Sequence, residues 1–207
     1  MTVHTLPYGP LSSNMYVIGE NGSFYIVDPS VSPDACFKNV PGFDLSCVKA
    51  VFVTHAHFDH IYRIEEWQKE CGCPIYLSEE ERRLMGDPDL NCSSIVGLSK
   101  AFAAQTIDIS CDGIKSAGLD LSVIRTPGHT SGSVCYLVRS EGMECLFSGD
   151  TVFAGSVGRT DFPTGSVTDM LDSVQRIKSL GRNILIYPGH GPDSDLFTEC
   201  RSNPYFF

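Results

Sequence analysis

The sequence predicts an α/β protein built in layers rather than by simple strand–helix alternation. Strand-like runs fall into two groups along the 207 residues, and segments of helical period are interspersed in each group. A chain of this length is expected to form one domain, residues 1–207, around a sizeable core.

The first group opens with "MYVIGE" (15–20) and "SFYIVD" (23–28), which are rich in β-branched and aromatic residues. Asn21-Gly22 between them favours a tight hairpin turn. "CVKAVFVT" (47–54) has the look of a buried strand. "IYRIEEWQKE" (61–70) carries apolar residues at helical spacing, with Gly72 and Pro74 as stops. "PIYLS" (74–78) reads as a strand, "EEERRLM" (79–85) as a short helix and "GDPDLNCSS" (86–94) as an irregular loop. The second group comprises "QTIDIS" (105–110), "LDLSVIRT" (119–126), "SVCYLV" (133–138) and "ECLFSGD" (144–150). A helix follows over 166–180, apolar at 167, 170, 171, 174, 177 and 180, with Ser166 and Asp169 resembling an N-terminal cap pair. "NILIYP" (183–188) is the last strand.

Bulk properties narrow the function. A formal net charge of −10 argues against an extended nucleic-acid surface, which needs a clustered basic face. No apolar stretch reaches the length of a membrane span, and no basic–apolar leader opens the chain, so a cytoplasmic enzyme is expected. Nine cysteines, odd in number and scattered, argue for reduced, buried thiols rather than a disulfide framework. The one close pair, Cys71 and Cys73, has no second pair to complete a zinc site, so a structural or incidental role is expected.

The chemistry-bearing residues are concentrated. "THAHFDH" (54–60) places His55, His57, Asp59 and His60 directly behind the strand at 47–54. His129 and His190 follow strands too, each after Pro-Gly, and Asp150 closes "CLFSGD". His4 stands alone and reads as an ordinary surface or core residue. Alternate residues of an extended loop point the same way, so His55 and His57 can grip one ion while Asp59 and His60 serve a second. Seven nitrogen and oxygen donors exceed one tetrahedral zinc and suit two, with Asp150 between them and iron or manganese as competitors.

"THAHFDH", "TPGHTSGSV", "FSGDT" and "YPGHGP", in this order, resemble the motif series of the metallo-β-lactamase superfamily over nearly the whole chain. "FAGSVGRTDFPTGS" and "PGHGPDSDLFTECRSNPYF" are similar to the small glyoxalase II-like (hydroxyacylglutathione hydrolase-like) enzymes. The resemblance implies a four-layer αββα sandwich. It implies His55, His57 and His129 at a first zinc ion, Asp59, His60 and His190 at a second, and Asp150 shared. It also implies a small-molecule thioester substrate attacked by a metal-bridging hydroxide, with Asp59 orienting that nucleophile. Two departures stand out. Tyr62 and Arg63 replace small residues after the histidine motif and are expected to narrow the site, and only seventeen residues follow His190, so the C-terminal helical extension by which longer relatives bind glutathione is not expected. Arg159, in "GRTDF", is the candidate for a substrate carboxylate, with an ion pair to Asp161 as its competing role. Two alternatives remain open: a mononuclear iron persulfide dioxygenase, and a non-catalytic metal-binding or interaction module.

Overall fold

Asn21 and Gly22 adopt positive φ (50° and 74°) and close the hairpin between β2 (Met15–Glu20) and β3 (Ser23–Val27). The computed structural model describes residues 1–109 and 118–207. A strand that the residue pattern does not announce, β1 (Thr2–Leu6), lies antiparallel outside β2 and takes His4 with it, paired opposite Val17. On the other side, β4 (Val48–Phe52), β5 (Ile75–Leu77) and β6 (Ile107–Asp108) add in parallel, giving the order β1-β2-β3-β4-β5-β6. Parallel neighbours need crossovers. Among the described residues, these are α1 (Pro33–Asn39), α2 (Ile64–Cys71) and α3 (Glu79–Met85).

The second sheet has the order β13-β12-β9-β8-β7, formed by β7 (Asp120–Arg125), β8 (Val134–Ser140), β9 (Met143–Gly149), β12 (Leu185–Pro188) and β13 (Ser194–Asp195). A two-residue ladder joins β10 (Val152–Phe153) to β11 (Ser156–Val157). Helices α4 (Val167–Lys178) and α5 (Leu196–Ser202) cover this sheet. The Ser166 hydroxyl accepts from the Asp169 N–H at 3.3 Å, the cap expected from the sequence.

Strand alternation sorts the apolar side chains into three layers. Tyr16, Tyr25 and Phe52 of the first sheet meet Tyr136 and Phe147 of the second. The first sheet's opposite face, through Val17, Ile26 and Val51, packs on Ile64 and Trp67 of α2 and Leu84 of α3. Leu137, Leu146 and Ile186 pack on Met170, Val174 and Ile177 of α4. Helix, sheet, sheet and helix follow one another, and the αββα sandwich is the observed architecture.

Two expectations change, and a third, the structural role of Cys71 and Cys73, takes a definite form. "QTIDIS" belongs to the first sheet, because β6 pairs with β5 and Gln68 of α2 donates to the Gln105 carbonyl at 3.0 Å; its last residue, Ser110, lies outside the described residues. The helix read over 61–70 begins only at Ile64, since the Arg63 N–H turns away to the Pro29 carbonyl. Cys71 and Cys73 form a disulfide. Gly72, at φ 61°, ends α2 and folds the chain so that their Cα atoms stand 5.2 Å apart. The thiols of Cys36, Cys47, Cys92, Cys135, Cys145 and Cys200 are free, as expected.

Candidate metal centre

Four loops meet where their strands end. The first runs from β4 through Thr54 to His60, and three others carry His129 after β7, Asp150 after β9 and His190 after β12. The Pro-Gly pairs act as the sequence suggested. A Cβ on Gly189 would stand 2.1 Å from Asp150 Oδ1, and one on Gly128, at φ 141°, would stand 2.5 Å from the Met170 backbone. Only glycine lets these backbones approach.

The seven residues named as metal ligands gather into overlapping groups of three. His55, His57 and His129 form one, His55, His60 and Asp150 another, and Asp59, His60 and His190 a third, with donor atoms in each group within 4.8 Å of one another. His57 Nδ1 and His129 Nε2 are 2.8 Å apart, and His60 Nε2 and His190 Nε2 are 3.4 Å apart. Asp150 sits between the sets: Oδ1 is 3.3 Å from His60 Nε2, and Oδ2 is 3.4 Å from His129 Nε2 and 3.7 Å from His190 Nε2.

Acceptors behind the rings decide which nitrogen faces inward. His129 Nδ1 lies 2.7 Å from the Arg159 carbonyl, which can only accept, so Nδ1 carries the proton and Nε2 offers its lone pair. His60 Nδ1 donates likewise to Asp28 Oδ2 at 3.0 Å. The Thr54 hydroxyl donates to Asp28 Oδ2 at 2.7 Å, so at 3.1 Å it accepts from His55 Nδ1. That leaves His55 Nε2 buried with no hydrogen-bond partner. A buried imidazole acceptor aimed at other acceptors is unfavourable unless a cation lies among them, so the donor set fits divalent metal.

Charge divides the centre. Burial drives the His57 imidazole down to about 3, reinforced by His129, and holds His55 well below its ordinary range with help from His60. At His60, burial again opposes the charged form, but Asp150 and Asp59 outweigh it and hold the ring well above its ordinary value. Burial alone would raise Asp150; His60 and His129 reverse that and hold it well below the usual carboxylate range.

Two carboxylates escaped the sequence reading. Asp28, buried at the end of β3 with φ 55°, also accepts from the Thr54 N–H at 2.7 Å. Glu81 on α3 accepts from the Ala56 N–H at 2.6 Å, the Thr130 hydroxyl at 2.7 Å and the Gly132 N–H at 3.0 Å. It thereby ties the first histidine loop to the loop of His129, and burial raises its pKa despite these three bonds.

A cavity of about 430 Å³ opens onto the donors His57, Asp59, His129, Asp150 and His190. Arg159 lines it but grips Asp161 through two 2.6 Å hydrogen bonds, the competing role foreseen for it, and lies 3.8 Å from the centre of the Phe162 ring. Tyr62 and Arg63 do not narrow the site. Tyr62 packs against the helix-side core and Arg63 reaches Glu66 at 3.3 Å, both outside the cavity lining.

Residues 8–190 match the family model of the metallo-beta-lactamase superfamily. A probable metallo-hydrolase of Bacillus subtilis, YqgX, is 32% identical over 203 residues, covering 97% of this chain and 95% of its own. The crystal structure of the BLEG-1 B3 metallo-beta-lactamase superposes with a TM-score of 0.88 at 32% identity, covering 99% of both chains. TTHA1623, solved in a di-iron-bound form, superposes with a TM-score of 0.82 at 29% identity, covering 99% of this chain and 100% of its own.

Proposed function

The chain belongs to the metallo-beta-lactamase superfamily and is a metal-dependent hydrolase, and from that premise we propose that it hydrolyses thioesters at a pair of divalent ions, zinc in the first instance. The carrying observation is the aimed donor set: seven buried or half-buried candidate ligands, of which His60, His55 and His129 have their rings turned inward by Asp28, Thr54 and the Arg159 carbonyl. In this reading His55, His57 and His129 would hold one ion and Asp59, His60 and His190 the other, with Asp150 available to both. Divalent ions at such a site supply Lewis acidity and bring a bound water's pKa to about 7.

The remaining steps fall to the chain. Asp59, whose Oδ2 lies 3.1 Å from His190 Nε2, orients the attacking water. The water oxygen gives up one proton to solvent and bonds to the acyl carbon, the carbon–sulfur bond breaks, and the thiolate departs with the electron pair, leaving a carboxylic acid that ionises. A thiol of pKa about 8.5 leaves without a strong general acid, and none is needed from this pocket. Phe58, Phe153 and Phe162 line the cavity and keep bulk water from the reacting carbonyl, which strengthens every charge interaction there. Arg159 is the candidate grip for a carboxylate on the substrate, so S-lactoylglutathione is expected to turn over with a weak KM.

Elemental analysis of protein purified without added metal, followed by a thioester panel, tests this reading. Two metals per chain and thioester turnover are expected. One iron per chain, with oxygen uptake on adding a persulfide, would replace it with the dioxygenase reading. β-Lactam hydrolysis is the second reading, favoured by the likeness to BLEG-1. A chromogenic β-lactam assayed beside the panel decides between them: turnover above that of every thioester would move the assignment.

A further inference from the structure

The walls of the cavity are more apolar than core packing requires. Leu11, Ile95 and Val96 all line it, yet they are 64%, 61% and 49% exposed. Single exposed aliphatic residues are common on any protein, but several grouped in a cavity beside reactive groups mark a binding surface. Arg159 is the one lysine or arginine among the lining residues, and Asp161 already engages it. Away from the metal site, a polyanionic ligand would find little to pair with among the described lining residues.

Leu11 carries a second signal. It has φ 56° and its neighbour Ser12 has φ 61°, a left-handed pair without glycine. Branched side chains avoid this region, so the surroundings must hold it there. They do. The Ser13 hydroxyl donates to the Asp59 carbonyl at 2.8 Å, and the Asn14 N–H donates to the Gly189 carbonyl at 2.7 Å. The strained turn is therefore fixed to both loops that bring Asp59 and His190 to the centre, and it presents a leucine at the cavity rather than the glycine its backbone would favour.

We propose that the substrate carries an apolar aliphatic or aryl acyl group, gripped by Leu11, Ile95 and Val96, and that Leu11 is a specificity-determining residue. The inference rests on the hydrolase reading above and narrows its substrate class. A hydroxyacyl group such as lactoyl is then a poor fit, and the preferred thioesters have a longer or aromatic acyl chain on a small, weakly charged thiol.

Acyl thioesters of one small uncharged thiol, from acetyl through octanoyl plus benzoyl, test it with the metal-loaded protein. kcat/KM is expected to rise about fourfold for each added methylene until the pocket fills. Calorimetric binding of the matching straight-chain carboxylates is expected to tighten in parallel. Leu11→Gly relieves the backbone strain while removing the side chain, so it should fold and hold its metals as the native chain does, yet flatten both series. Thioester turnover that is indifferent to chain length, or a Leu11→Gly slope equal to the native one, would overturn the inference and leave the hydrolase reading standing. Absence of turnover on every thioester would overturn that reading instead, and the carboxylate series would then decide the apolar pocket alone: tightening with length supports it and constant affinity overturns it.

Discussion

The two halves of the metal centre are built on different principles. His55, His57 and His129 are 1%, 3% and 2% exposed, all imidazole, with His55 and His57 held neutral chiefly by burial. Asp59, His60 and His190 mix carboxylate with imidazole, and the His190 side chain is 27% exposed to the cavity. Glu81 clamps the loops of the first half, whereas Asp28 orients His60 and the turn at Leu11 braces the second. One half is all nitrogen and deeply buried, and the other is charge-balanced and more exposed at His190, while His57 and His129 also reach the cavity. If two ions are held as proposed, the first half would fix its ion and the second would face substrate, as open catalytic positions do in metal sites generally.

Asp150→Ala should produce the largest effect, because this carboxylate approaches histidines of both halves. Loss of metal from both halves is expected, with activity falling further than the roughly 10–100-fold typical of an outer-shell change. Elemental analysis and turnover on one preparation check it. Full metal content with near-native turnover would break the description of Asp150 as the link between halves.

A paired substitution sharpens the comparison. Glu81 receives three donors, so Glu81→Gln must turn an amide N–H₂ toward at least one N–H or O–H and push the two loops apart. Weaker metal affinity by roughly 10–100-fold is expected, confined to the His55–His57–His129 half. Asp28→Asn should loosen chiefly the other half by a similar factor through its direct bond to His60, with a smaller effect on His55, which Asp28 reaches only through the Thr54 hydroxyl. Stepwise metal titration followed by cobalt absorption spectra distinguishes the two. If both variants weakened the same step, the halves would not be separately supported.

The legibility of this centre follows the same division between donors and supports. All seven donors stood out because strand, turn and ligand are contiguous, as in "YPGHGP", and because three histidines crowd into six residues at His55–His60. Asp28 and Glu81 did not, since each is one acidic residue among 25 and finds its partners 25 to 51 positions away. Long-range pairing leaves no local pattern. The fold shows the same limit: the hairpin at Asn21-Gly22 and the amphipathic α4 were legible, but β1 was not, and the allocation of "QTIDIS" depended on a sheet edge only the tertiary structure reveals. The cavity walls were least legible of all. Gly9-Pro10 and Ser12–Asn14 mark a turn, but nothing in the sequence announces that the leucine between them takes the left-handed conformation.

Arg159→Ala should have the smallest effect, and its form matters more than its size. The guanidinium holds Asp161 bidentately, stacks on Phe162 and is 56% exposed, so a substrate carboxylate would exchange one exposed ion pair for another. Exposed pairs contribute little, and the exchange nearly cancels. A rise in KM of about fivefold or less is expected for thioesters bearing a carboxylate, with kcat, metal content and the KM of uncharged thioesters unchanged. Asp161→Asn supplies the opposite arm. It frees the fork, which should lower KM for the same anionic substrates, and the gain should fade as salt rises because the new pair is also solvent-exposed. A loss shared equally by charged and uncharged thioesters on Arg159→Ala would place the residue in the wall of the cavity as packing over Phe162. A fall in kcat with metal loss would place it instead among the supports of His129, whose Nδ1 leans on the Arg159 backbone carbonyl.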